Sequence, residues 1–85
     1  MKPGKHQRAI LDILQDDGGE LWNDAGMWSV SCLEDGVRYS GRVQSDPARR
    51  LYEQGYVMHD RTEPGMGEYG ADRVVLVLTE KGKRA

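Results

Sequence analysis

The side chains here best suited to chemistry are arginines, and their number and spacing point to anion recognition rather than to bond-making. Between Val37 and Arg50 the chain carries Arg38, Arg42, Arg49 and Arg50 against a single acid, Asp46. Guanidinium groups clustered in this way pair with phosphates, because affinity for phosphates is largely electrostatic. Acids gather elsewhere, at Asp16, Asp17, Glu20, Asp24, Glu34 and Asp35, so a formal net charge of -2 conceals a lopsided distribution. On these residues alone the favoured reading is a solvated face on which the arginines pair loosely with Asp46, Glu34 and Asp35.

No residue set suggests catalysis. His6 and His59 stand apart, with no Ser, Cys or paired carboxylate at a catalytic spacing, and no histidine or second cysteine completes a metal site with Cys32. The glycines between Asp60 and Asp72 lack a following Lys-Ser or Lys-Thr and open no helix, so they are not a phosphate loop. The expectation is a protein that is not an enzyme, with no cofactor, no metal and no small-molecule substrate. No apolar run is long enough to cross a bilayer, and Met1 to Arg8 is polar without a secretory stretch behind it, which predicts a cytoplasmic protein with no membrane partner.

The elements that must position these residues fit one domain over residues 1–85, with 1–5 as a flexible tail. Ile10, Leu11, Ile13 and Leu14 predict a helix from about His6 to Gln15, stopped by Asp16-Asp17-Gly18-Gly19. Glu20 to Gly26 reads as an irregular connection. Met27 and Trp28 then read as a short edge strand, and Ser29 as the cap of a helix carrying Val30, Leu33 and Val37. Against that helix, Trp28, Val30 and Cys32 also alternate with serines as in a half-buried strand. Ser40 opens a further helix with Val43, Ala48 and Leu51 inward and Gly55 at its end, and Pro47 bends or splits it. Tyr56 to His59 and Val74 to Leu78 read as strands, joined by a loop over 60–73. Trp28 is expected in the core, and Trp22 over the first helix or exposed to a partner.

This order resembles the winged helix-turn-helix family of bacterial and phage transcription regulators. The resemblance rests on Leu33 and Leu51, which align with leucines of the second and recognition helices. It rests also on Arg49-Arg50-Leu51-Tyr52-Glu53-Gln54-Gly55-Tyr56-Val57 as the exit into the wing and on Leu78-Thr79-Glu80-Lys81-Gly82 as its return. The fold it implies is α+β, with three helices and a two- to three-stranded antiparallel wing sheet, and it favours the helix over the strand at Ser29 to Leu33. Pro47, the long connection and an acidic wing depart from the pattern.

What the resemblance implies is sequence-specific binding of double-stranded DNA by a small transcriptional regulator of phage or mobile-element type. The recognition helix would bring Ser40, Gly41, Arg42, Gln44 and Ser45 to the groove, with Tyr39 beside them. Arg42 would read guanine and Gln44 adenine, while Arg38, Arg49 and Arg50 would hold phosphates. Arg61 and Arg73 would be the wing's cations. The chain ends shortly after Gly82, where dimeric members continue into a long helix, so monomer and dimer both stay open. The alternative is a protein-interaction module of the same fold, binding a partner protein through its acidic wing and Trp22.

Overall fold

A computed structural model of the chain describes residues 2–85. The first helix, α1 (Lys5–Leu14), buries Ile10, Leu11 and Leu14 along one stripe. Gln7, in its first turn, is buried as well. Its Oε1 accepts from the Gly4 backbone N–H at 3.0 Å and its Nε2 donates to Gln54 at 3.0 Å. An N-terminal backbone donor is thereby satisfied, and α1 is tied to the end of the next helix.

After α1 come three strands where the sequence suggested a connection, a short edge strand at Met27 and Trp28, a helix from Ser29 and the start of another at Ser40. They are β1 (Glu20–Asp24), β2 (Met27–Glu34) and β3 (Val37–Arg42), paired antiparallel as a meander. Two tight turns decide this. Ala25 and Gly26 have φ of 53° and 90°, and Asp35 and Gly36 have φ of 53° and 78°. Two successive residues with positive φ make the turn whose twist matches paired strands, and Asp-Gly is a strong signal for it. A helix through Glu34 to Val37 is incompatible with that turn. The alternation of Trp28, Val30 and Cys32 with serines is therefore a strand's: Val30 lies in the core, Trp28 packs against it, and Ser31 is buried on the other face.

The second helix, α2 (Ser45–Glu53), is shorter than expected and does not include Ser40 to Gln44. Pro47 neither kinks nor splits it. As the third helical residue, it sits in the first turn, where an N–H has no partner within the helix. Ala48 and Leu51 are fully buried and Val43 packs against the core, as expected. Gly55, with φ of 80°, follows Gln54 at the helix end.

The chain then forms β4 (Val57–Glu63), a nine-residue excursion over 64–72 with a short 3-10 turn at Glu68–Gly70, β5 (Arg73–Leu78) and α3 (Glu80–Arg84). Strand order is β3-β2-β1-β5-β4, all antiparallel. This five-stranded sheet overturns the winged helix-turn-helix expectation. The expected second helix is β2, and the start of the recognition helix is β3. The hairpin expected as a wing is the sheet's β4 and β5, with β1 beside β5 at the sheet's centre. Leu33, aligned above with a helical leucine, is in β2.

One face of the sheet supports α1 and α2 through Leu21, Val30, Val57, Leu76 and Leu78. α3 closes the end of the core, and its Gly82 lies so near Tyr56 that an added Cβ would stand 2.1 Å from that residue's carbonyl oxygen. Thr79 caps α3 by accepting from Gly82 N–H at 3.1 Å, and Gln15 donates to the Gly82 carbonyl at 3.0 Å. Among the described residues no helix is long and apolar enough to cross a membrane. Gly82→Ala should lower the unfolding free energy by roughly 1–3 kcal/mol, since backbone must shift to admit the methyl. Urea unfolding of the variant beside wild type measures this.

Candidate nucleic-acid interface

The expected DNA-binding residues fall on several elements. Arg38, Tyr39, Ser40, Gly41 and Arg42 are in β3, Gln44 is the N-cap of α2, and Ser45, Arg49 and Arg50 are in α2. Arg61 is in β4 and Arg73 opens β5. The sheet does bring Arg38, Arg42, Arg61 and Arg73 onto one surface, the face without helices. Cross-strand partners share a face, so Arg42, Ser29, Trp22, Val75 and Arg61 form one row across all five strands. The bulge between His59 and Arg61 makes that possible, because the extra residue shifts Arg61 to the face opposite His59.

These arginines are consumed by the fold. Arg73 donates to both oxygens of Asp24 at 3.0 Å, and its guanidinium lies 3.8 Å from the centre of the Trp22 ring. Asp24 also accepts from the Glu68 backbone N–H at 3.3 Å and is only 2% exposed. Glu20 accepts from the Trp22 indole at 2.9 Å through one oxygen, which lies 3.6 Å from Arg38. Its other oxygen accepts from Arg61 at 3.1 Å. Arg38 further donates to Ser31 and to the Gly18 carbonyl. Arg42 donates to both carboxylate oxygens of Glu68 at 2.6 and 2.7 Å, fastening the 64–72 excursion over this end of the sheet. Trp22, Val75 and Ser31 are buried with no helix above them. Trp22 is thus neither a cover for α1 nor an exposed anchor.

The expected acidic wing is equally occupied. Glu63 pairs with Arg61, Glu68 with Arg42, and Asp72 accepts from Gly65 N–H. On α2, Arg49 lies between Asp46 at 3.1 Å and Glu53 at 3.6 Å.

What remains of the positive charge is segregated. Among the described residues, Lys2, Lys5, Arg50, Lys81 and Arg84 have no carboxylate within ion-pair distance. Four of these, with Arg8, line an open cleft of about 880 Å³ between the start of α1 and α3, and no acidic side chain lines it. Tyr56 forms its floor, with the Lys81 ammonium 4.5 Å from the ring centre and donating to the Gln54 carbonyl at 2.6 Å. Lys5 is shared with a neighbouring hollow that Arg50 and Gln44 line together with Asp46, the partner of Arg49, so the cations continue as a strip toward α2 past one acid. Of the residues expected from sequence, only Arg50 and Gln44 border this strip. Lys2, Lys5 and Arg8 were legible as an acid-free run at three-residue spacing. Their meeting with Lys81 and Arg84 depends on α3 docking at Tyr56.

Charge also acts on stability here. Donation from Arg73 holds the Asp24 carboxyl below its ordinary value of 3.8, against the opposing effect of burial. A carboxylate with a depressed folded-state pKa stabilises fully above its unfolded value and loses that contribution as pH falls through the folded one. Acid unfolding of wild type should therefore steepen below about pH 4, and Asp24→Asn should flatten that limb. The same variant should be less stable at neutral pH by on the order of 3 kcal/mol, because it leaves Arg73 without its counter-charge. Urea midpoints across the acid range test both. Compared with known proteins, the chain matches no family model, no curated protein and no solved structure.

Proposed function

We propose that this protein binds double-stranded DNA through its phosphate backbone, using the cationic strip of Lys2, Lys5, Arg8, Arg50, Lys81 and Arg84. The observation that supports this is the segregation of uncompensated charge. Most arginines of the chain neutralise carboxylates within the fold, whereas Lys2, Lys5, Lys81 and Arg84, which lack such partners, converge on one cleft free of acidic side chains, where Arg8, 3.8 Å from Asp12, joins them. A phosphate entering there meets several ammonium and guanidinium groups at once, and release of condensed counterions drives association. The overall acidity then orients the molecule, since other surfaces are repelled by the same duplex.

Duplex is favoured over single strand because the strip offers no aromatic platform. Bases of a single strand stack on exposed rings, and Tyr56 is 4% exposed beneath Lys81. Base reading by Arg42 loses its support, as that guanidinium is held bidentately by Glu68 on a strand. The proposal is thus of backbone contact, and a regulatory role and cytoplasmic location go with it. Of the protein-interaction alternative, what persists is the exposure of Met66 and Tyr69 on the 64–72 excursion, since its acids are occupied.

If four phosphates are neutralised, log affinity against log salt should have a slope of about -3 to -4. Replacing Lys5 and Arg84 together with Ala should weaken binding to every duplex alike and reduce the slope by about 2. Arg49→Ala should change neither. Fluorescence anisotropy with a labelled random-sequence duplex across a salt series reads this out. Absence of binding at low salt, or equal loss in the Arg49→Ala control, would refute the proposal.

A further inference from the structure

We infer that β3 is a self-pairing edge and that two copies of this chain join there into a continuous ten-stranded antiparallel sheet. Of the two sheet edges, β4 is interrupted by the bulge at Asp60, a device that discourages further pairing. β3 has no bulge and no proline, and all six of its residues are exposed. Its backbone is therefore ready to accept another strand.

The register with β2 shows which groups are available. Asp35 and Gly36 close a two-residue turn, which makes Glu34 and Val37 a hydrogen-bonded pair. By alternation Val37, Tyr39 and Gly41 bond to β2, and donation from Val43 N–H to the Trp28 carbonyl at 3.0 Å continues that parity. Arg38, Ser40 and Arg42 consequently direct N–H and C=O away from the sheet. Their guanidiniums do not obstruct the edge, because Arg38 turns inward to Ser31 and Glu20 while Arg42 is held by Glu68.

A second copy fits better than an unrelated strand because β3 is complementary to itself in one register. Centring a two-fold axis on Tyr39 sets Tyr39 against Tyr39 of the other copy, Val37 against Gly41, and Arg38 against Ser40. Val37 and Tyr39 are 52% and 56% exposed, and a Cβ at Gly41 would meet no atom within 4 Å, which leaves room for the opposing valine. Centring on Ser40 instead would set Tyr39 against Gly41 and leave the exposed Val37 opposite position 43, beyond the end of β3, so its apolar side chain would gain no strand partner. The paired surface also covers part of the shelf formed by Ile13, Val30, Cys32 and Gly41, which α1 leaves open. It shares no residue with the cationic cleft, so this inference stands apart from the DNA proposal.

Light scattering on the eluting full chain, across micromolar to millimolar concentration, should give twice the 9.6 kDa chain mass. Ser40→Pro deletes an outward N–H without touching the β2 ladder and should give the single-chain mass with an unchanged circular dichroism spectrum. Register is tested by cysteine trapping in a Cys32→Ser background. Tyr39→Cys should form a disulfide-linked dimer, since directly opposed non-hydrogen-bonded residues have Cα atoms about 4.5 Å apart. Ser40→Cys should not, as its counterparts lie diagonally about 7–8 Å apart, beyond disulfide reach. Should Ser40→Pro fail to fold, the cysteine pair decides alone. A wild-type chain that stays single at millimolar concentration, a folded Ser40→Pro that still dimerises, or trapping at Ser40 instead of Tyr39 overturns the inference.

Discussion

The salt bridge between Asp24 and Arg73 is the contact on which the rest of the structure leans, because it allows a sheet to stand with helices on only one side. A small domain has too little chain to cover both faces, and a bare face would leave Trp22 and Val75 in water. Here the central strand β1 carries Glu20 and Asp24 beside those apolar residues, and arginines from β3, β4 and β5 fold across to meet them. The aliphatic stems of those arginines cover apolar surface while their heads are neutralised. Removing one partner leaves a buried charge, which is why such a layer is unforgiving of single changes.

That layer also governs where charge is free. With Arg38, Arg42, Arg61 and Arg73 paired to carboxylates, a phosphate reaching them must compete with a partner inside the fold. No acidic side chain lines the cleft between the start of α1 and α3, and Lys2, Lys5, Lys81 and Arg84 meet there without carboxylate partners. A formally acidic protein thus presents a cationic strip, and the potential a polyanion meets depends on which side approaches. The same commitment of Arg38 and Arg42 frees the β3 edge from the charge that would otherwise keep copies apart.

Much of this was legible in the residues. The stripe of Ile10, Leu11 and Leu14, the inward set of Val43, Ala48 and Leu51, Gly55 as the stop of α2 and the two strands flanking the excursion all follow from periodicity and punctuation. Glu20 to Gly26 reads as a connection on its turn composition, whereas the helix reading at Ser29 to Leu33 follows from aligning Leu33 with a helical leucine. Asp35-Gly36 was the local signal against it, because that dipeptide favours a turn that splits the segment into two strands. Pro47 reads as an interruption only if the helix starts at Ser40. With the start at Ser45, the proline occupies the turn where its missing donor is harmless.

The sequence alone therefore determined α1, the inward residues of α2 and the strands on either side of the excursion, since these depend on neighbours a few residues apart. Which arginines are spent and which are free was settled only by tertiary structure. Glu20 and Arg61 are 41 residues apart in the chain, and Asp24 and Arg73 are 49. Strand order and one bulge bring each pair within hydrogen-bonding distance. Charge pairing acts through space, and a linear count of charges carries no record of it.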